Sequence, residues 1–211
     1  MIKVKVCGMR DPANMKEIAE AKPDFIGFIF YRGSQRYIGD ETDDTLLANV
    51  PSGIIRTGVF LNEENKKIVN ISRRTGLEAI QLHGKESPEA CMELKSLGLT
   101  VVKTFNIGEG FNFEILEKYS SACDYFLFDT KTHLYGGSGK KFDWRRLAGY
   151  SIDKPFFLSG GIGPEDVDAV KSVANRGLYA VDINSRFEIT PGIKDPDKVR
   201  QFIKNINISQ L

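Results

Sequence analysis

Apolar residues in this chain gather into eight short runs: IKVKVC (2–7), DFIGFIF (24–30), IIRTGVF (54–60), EAIQLH (78–83), TVVKTF (100–105), DYFLFD (124–129), PFFLSG (155–160) and YAVDI (179–183). Most are dense in Val, Ile and Phe instead of alternating with polar residues, the pattern of parallel strands buried on both faces. Polar segments with helical spacing fill most of the gaps. Asp11 and Pro12 open DPANMKEIAEA as N-cap and first helical residue, with Met15, Ile18 and Ala19 on one face. NEENKKIVNISRRTG begins at Asn62 and stops at Gly76, a C-cap signal, and SPEACMELKSLG runs from Ser87-Pro88 to Gly98. GPEDVDAVKSVANRG predicts a helix from Pro164 to Gly177, and DPDKVRQFIKNI predicts one opening at Asp195-Pro196. Weaker helices are predicted in ETDDTLLANV, FNFEILEKYS and, briefly, DWRRLAG.

Eight β-then-α units predict a single (β/α)8 TIM barrel of parallel strands over residues 1–211, shorter than the ~250 residues typical of that fold. The competing doubly wound open sheet usually has about five or six strands and leaves some runs unexplained. A barrel assembles its site at the C-terminal ends of the strands. The candidates by position are Cys7, Arg36, His83, Lys103 and Phe105, Asp129, Gly160-Gly161, and Asp182 to Ser185, converging on one mouth.

Composition narrows the class of partner. A formal net charge of +1 gives no bulk electrostatic reason to expect nucleic acid or an anionic membrane. The hydrophobic share of 41% supports a substantial core, yet no apolar run approaches the ~20 residues that span a bilayer, and no signal-peptide pattern is present. Three widely spaced cysteines, Cys7, Cys91 and Cys123, suit a reducing cytoplasm. The Asn-x-Ser matches at Asn70 and Asn207 then carry no glycosylation meaning. A small-molecule substrate is the expected partner, for a monomer or homodimer.

The loops after strands 7 and 8 read as a phosphate site. LSGGIGPEDV brings bare glycine backbone, Gly160 and Gly161, before a helix start, and Asn184, Ser185 and Arg186 follow strand 8. LFDTKTHLYGGSGKKFDW (127–144) is not a P-loop, because Gly139-Lys140 precedes Lys141 instead of Ser or Thr and position 134 is leucine. It reads as a lid, with Gly136, Gly137 and Gly139 as hinges and Lys131, Lys140 and Lys141 as cations. Asp129 at its base lies where excluded water would raise a carboxyl into the general-acid range. Cys7 ends strand 1 before Gly8 and pairs with Asp129 as base and acid, whereas Cys91 and Cys123 read as structural thiols. Arg36 is a fixed cation suited to a carboxylate. His83 and His133 lack the cluster of ligands a metal needs, so no metal is expected.

Together the blocks KVCGMR, GFIFYRGSQRYI, GVFLNE, IQLHGKE, LFDTKTHLYGGSGKKFDW, LSGGIGPEDV and VDINSRFEITPGIKDPDKVRQFI resemble phosphoribosylanthranilate isomerases of tryptophan biosynthesis, in order over nearly the whole chain. The resemblance implies a cofactor-free Amadori rearrangement of N-(5-phosphoribosyl)anthranilate to 1-(2-carboxyphenylamino)-1-deoxyribulose 5-phosphate. It implies Asp129 as general acid at the ribose ring oxygen and Cys7 as general base at C2. It also implies Arg36 on the anthranilate carboxylate, Gly160, Gly161, Asn184 and Ser185 on the phosphate, and Asp182 and His83 in the substrate site. One departure stands out: the family commonly reads Asp-x-Ser-Ser-Gly after strand 8, where this chain has Asp182-Ile183-Asn184-Ser185-Arg186. A side chain there makes positive φ costly. Two other functions compete: the analogous isomerase of histidine biosynthesis, which uses two aspartates on two half-barrels, and a non-catalytic binder of phosphate ligands, which would need neither Cys7 nor Asp129.

Overall fold

The computed structural model describes residues 1–39, 44–130 and 141–208. Eight strands form a closed, all-parallel barrel in chain order: β1 (Lys3–Cys7), β2 (Phe25–Ile29), β3 (Ile55–Phe60), β4 (Ala79–Leu82), β5 (Thr100–Ile107), β6 (Tyr125–Thr130), β7 (Phe156–Leu158) and β8 (Leu178–Ile183). Pairing of β8 with β1 closes the ring, with Lys3 opposite Ala180 and Lys5 opposite Asp182.

The dense apolar runs are explained by their two buried faces. Ile26 and Phe28 on β2, Phe126 and Phe128 on β6, and Phe156 and Leu158 on β7 join the large cluster that packs with the helices. Their alternate neighbours Phe25, Leu127 and Phe157 join Val102 and Ala180 in a second cluster inside the barrel. Phe25, Tyr125, Phe157 and Tyr179 pack there ring against ring, at centroid distances of 4.5–6.3 Å, and fill one end of the barrel with apolar bulk.

The helices are α1 (Pro12–Glu20), α2 (Asp44–Ala48), α3 (Asn65–Thr75), α4 (Pro88–Ser96), α5 (Val167–Ser172) and α6 (Pro196–Asn207). The proline-led caps act as such, and Gly76 closes α3 as predicted, but α3 starts at Asn65 behind Glu64 and not at Asn62. Asp11 accepts from the Asn14 N–H, Ser87 from Ala90, and Asp195 from Asp197 and Lys198, each with proline in the first turn. Three gaps differ from expectation. Phe113–Tyr119 and Trp144–Gly149 are 3₁₀ turns, each opened by a side chain, Asn112 or Asp143, that accepts from the N–H only two residues on. The helix predicted from Pro164 to Gly177 opens as a 3₁₀ turn, Pro164–Asp166, and ends in another, Ala174–Arg176, leaving α5 six residues long. After β8 the chain makes a 3₁₀ turn, Ser185–Phe187, and then an antiparallel hairpin, β9 (Glu188–Thr190) and β10 (Ile193–Lys194), that the apolar pattern did not announce. The lid reading falls largely on residues 131–140, including Lys131, His133, Gly136, Gly137, Gly139 and Lys140, outside the described residues. Among the described residues no helix is long and apolar enough to cross a membrane.

Candidate active site

Cys7 is the last residue of β1, and the chain turns immediately after it. Gly8 has φ +79°, and the N–H groups of Gly8 and Met9 both donate to the Gly27 carbonyl, at 2.9 and 3.0 Å. Glycine is required twice over at position 8, because a Cβ would stand 2.7 Å from Arg36 Cδ and 3.0 Å from Asn184 Oδ1. Across the ladder, a Cβ at Gly27 would meet the Cys7 sulfur at 2.9 Å and Lys5 Cε at 3.1 Å. The thiol therefore occupies space that two glycines leave, with Arg36 and Asn184 beside it. Burial pushes the thiol pKa up, and Lys5 and Lys194 pull against that shift.

Lys5 has its ammonium inside the barrel with 1% of the residue exposed. Its Nζ donates to Asp182 Oδ2 at 3.0 Å and to Gln81 Oε1. Burial opposes the Lys5 charge, but Asp182 and Cys7 outweigh it and raise its pKa. Asp182 Oδ1 is buried and has no partner among the described residues, which leaves an acceptor for a ligand hydroxyl.

The acid side of the mouth is built on β4, β6 and β7. Gln81 Nε2 lies 3.5 Å from His83 Nδ1, and His83 Nε2 lies 3.4 Å from Asp129 Oδ2. An amide nitrogen only donates, so Nδ1 is the acceptor and the imidazole proton sits on Nε2, facing the carboxyl. Burial, and next the Lys103 charge, hold the His83 pKa down to about 4, so the ring is neutral. Burial raises Asp129 to about 6 against the Thr130 N–H, which donates to its Oδ1 at 2.7 Å. Gly160, at φ +89°, backs this carboxyl closely: a Cβ there would stand 2.8 Å from Asp129 Oδ1 and 2.7 Å from the Thr130 nitrogen.

Among the proposed phosphate residues, Gly160 and Gly161 both have positive φ, and Asn184 and Ser185 lead into the turn that ends at Phe187. The turn after β7 is tied down by Asp166, which accepts from Gly163 N–H and from Lys141 Nζ, each at 2.6 Å. Arg186 needs no positive φ, since among the described residues the non-glycine positions with that geometry are Lys22 and Asn62. Its Nη2 donates to Glu165 at 2.7 Å, a half-exposed pair that bridges the loops after β7 and β8. Because the guanidinium is engaged there, Arg186→Gly is expected to leave KM within about twofold of the parent, as for most exposed ion pairs; steady-state kinetics of the variant measures it.

Two positional candidates do not face the mouth. Lys103 lies in register with Leu82 and Phe126, both on the helix-facing side, and its ammonium binds Glu86 and the carbonyls of Leu82, Gly84 and Thr104. Phe105 packs edge-on against Phe111, Tyr119 and Phe126. Conversely, Lys5, Gln81, Glu188 and Lys194 contact the candidate residues Asp182, His83, Arg36 and Asn184 and were not singled out in the sequence. A charged or amide side chain in the middle of a doubly buried strand was the available signal for Lys5 and Gln81. Arg36, expected to be open to a ligand, already holds a carboxylate of this chain: Nε and Nη2 donate to Glu188 at 2.7 and 2.5 Å. Among the described residues no group of three His, Cys, Asp or Glu is arranged to hold a metal.

Residues 4–205 match the family of N-(5'-phosphoribosyl)anthranilate (PRA) isomerases. An N-(5'-phosphoribosyl)anthranilate isomerase of Parabacteroides distasonis is 42% identical over 204 residues, covering 96% of this chain and 92% of that protein. The crystal structure of phosphoribosyl anthranilate isomerase from Thermotoga maritima superposes with a TM-score of 0.85 at 37% identity, covering 98% of each chain. A crystal structure of a phosphoribosyl anthranilate isomerase in complex with reduced 1-(o-carboxyphenylamino)-1-deoxyribulose 5-phosphate aligns with a TM-score of 0.82 at 33% identity, again over 98% of each chain.

Proposed function

Because this chain belongs to the N-(5'-phosphoribosyl)anthranilate isomerase family, we propose that its isomerisation is carried out by Asp129 as general acid and Cys7 as general base. The overall reaction is the aldose-to-ketose rearrangement of N-(5-phosphoribosyl)anthranilate to 1-(2-carboxyphenylamino)-1-deoxyribulose 5-phosphate in tryptophan biosynthesis. Asp129 gives its proton to the ribose ring oxygen, and the C1–O bond breaks to leave a protonated imine between C1 and the anthranilate nitrogen. That cation acidifies the C2 proton, which the Cys7 thiolate removes. The C–H electrons form the C1–C2 double bond of an enolamine, which tautomerises to the ketone. The observation that carries the assignment is the carboxyl of Asp129, buried and lifted to about 6, in one barrel mouth with a thiol flanked by Lys5. The acid then has the strength that ring opening near neutral pH needs.

The remaining roles follow from position. His83, neutral, holds the Asp129 carboxyl in place. Arg36 takes the anthranilate carboxylate, Asp182 Oδ1 a sugar hydroxyl, and Gly160, Gly161, Asn184 and Ser185 the phosphate. No step calls for a metal or cofactor, since the anthranilate nitrogen serves as electron sink. We also infer a cytoplasmic setting, in keeping with three thiols that are all unpaired.

The test is turnover of freshly generated aminoaldose, followed by loss of its fluorescence across pH. Activity requires Asp129 protonated and Cys7 ionised, whereas the free protein at neutral pH holds mostly the reverse. The active form is then a constant small fraction between the two pKa values. Hence kcat/KM should be flat from about 6, where Asp129 titrates, to beyond the ordinary thiol value of about 8.5. It should fall tenfold per unit below the first limit, as the thiolate disappears, and above the second, as the acid does. A profile with no limb near 6 would remove Asp129 from its role.

A further inference from the structure

The hairpin after β8 places a buried ion cluster against the base side of the mouth. Glu188 Oε1 accepts from Arg36 Nε at 2.7 Å, from Lys194 Nζ at 2.6 Å and from the Gly192 N–H at 3.0 Å, while Oε2 accepts from Arg36 Nη2 at 2.5 Å. Lys194 is fully buried and donates also to Asn184 Oδ1 at 2.6 Å. Arg36 in turn lies over the turn that follows Cys7, its Cδ 2.7 Å from where a Gly8 Cβ would be.

This arrangement is a mount and not a plug. For a substrate to displace Glu188 from Arg36, the carboxylate would have to leave a site where 6% of its side chain is exposed. Among the described residues Lys194 Nζ would then keep only the neutral amide oxygen of Asn184 as partner, a costly state for a buried cation. Glu188 therefore stays where it is. It uses the side-on edge of the guanidinium, Nε with one hydrogen of Nη2, and among the described residues leaves the end-on edge, Nη1 with the other hydrogen of Nη2. A guanidinium has five donors in a rigid plane, so fixing one edge fixes the direction of the other. Gly8 supplies the clearance that lets Arg36 lie flat over the Cys7 turn.

We propose that Glu188, seated by Lys194 and the Gly192 N–H, is a positioning residue that aims the free edge of Arg36 at the carboxylate of the aminoaldose and so sets the preference for a carboxylate-bearing aromatic amine. The proposal rests on Arg36 being the carboxylate-binding residue. It adds that this arginine binds well only while its other edge is held, and it extends the carboxylate-binding part of the site to the β9–β10 hairpin.

The experiment compares two substrates, N-(5-phosphoribosyl)anthranilate and its analogue made from aniline, on the parent protein and on Glu188→Gln, Glu188→Asp and Arg36→Met. In the parent, the ratio of kcat/KM for the two substrates measures the value of the carboxylate contact. Glu188→Gln keeps the shape but removes the charge and one acceptor. It should cut that ratio roughly tenfold, as expected for loss of a charge-assisted bidentate mount, through KM more than kcat. Glu188→Asp keeps the charge that Lys194 faces but cannot reach both nitrogens, and should lower the ratio by less. If Glu188→Gln is poorly folded, the ratio in Glu188→Asp decides. Equal losses on both substrates in the Glu188 variants, or a lowered KM for the anthranilate substrate, would overturn the proposal. Arg36→Met separates the two readings. A ratio unchanged in Arg36→Met removes the carboxylate role of Arg36 itself, whereas a ratio lost there but intact in both Glu188 variants removes only the part assigned to Glu188.

Discussion

Cys7→Ser is expected to lose turnover by about 10³-fold or more while substrate affinity stays close to that of the parent. A positioned general base is worth roughly 10²–10⁴ in rate. Serine cannot supply one, because its hydroxyl ionises far above the range in which burial leaves the thiol. The substitution is otherwise gentle. The side chain stays small, the space vacated by Gly27 remains, and the turn held by Gly8 and Met9 on the Gly27 carbonyl is backbone only. Lys5 keeps Asp182 and Gln81 as partners, so no buried charge is orphaned. Fluorescence decay of the aminoaldose gives the rate, and competition by the reduced product gives the affinity. Retained turnover would end the role of Cys7 as base, and a collapse in affinity would make it a binding residue.

Asp129→Asn should be as damaging to turnover, and it should leave the protein more stable. The amide can still accept the Thr130 N–H that now bonds Oδ1 at 2.7 Å, but it has no proton to give the ring oxygen. The stability effect follows from linkage. Burial raises Asp129 to about 6, against about 3.9 for an unfolded aspartate. The ionised carboxylate therefore costs the fold nothing below the unfolded value. The cost grows as pH rises toward 6 and is complete above it, at about 2 to 3 kcal/mol for a shift of this size. Thermal melts of the two proteins should accordingly coincide near pH 4 and separate at pH 7, with the variant melting higher. A variant that melts lower at pH 7 would mean that the charged carboxylate is held by its neighbours after all. On the proposed assignment the acid is thus bought with stability, as many catalytic groups are.

The barrel was legible because each strand is a compact block of β-formers and most helices carry their own start signal. Asp11-Pro12, Ser87-Pro88 and Asp195-Pro196 act through residues two or three positions away, and such local chemistry survives being read as a string. The 3₁₀ turns were not legible as such, since residues such as Phe113 are set by rings brought from elsewhere, Phe128 and Tyr150 among them. The same division applies to the site. Cys7, His83, Asp129, Gly160 and Asp182 could be placed because strand ends face one mouth. Glu188 and Lys194 could not, because the partner that gives Glu188 its meaning, Arg36, is 152 positions away in the chain. Lys103 shows the converse error. The apolar run puts it near a strand end, but β5 continues to Ile107, and Lys103 lies on the other phase of the pleat from the mouth, where it serves Glu86 and the β4–α4 connection. Strand phase, which an apolar run on both faces conceals, was the missing information.

The closing seam of the barrel has a consequence for how the protein comes into being. The ladder between β1 and β8, and the Lys5–Asp182 ion pair that spans it, join residues separated by 177 positions. Every other neighbouring pair of strands is consecutive in the chain, so this is the one ladder that needs almost the whole chain in hand. Loop-closure entropy weighs heaviest on such a contact. Cys7 follows the last pair of this seam, and its thiol lies beside the Lys5 that spans it. A chain in which seven strands have assembled carries the proposed acid on β6 and has yet to finish the surroundings of the proposed base. Recovery of activity during refolding thus reports the last ladder to zip, while recovery of secondary structure reports the seven before it.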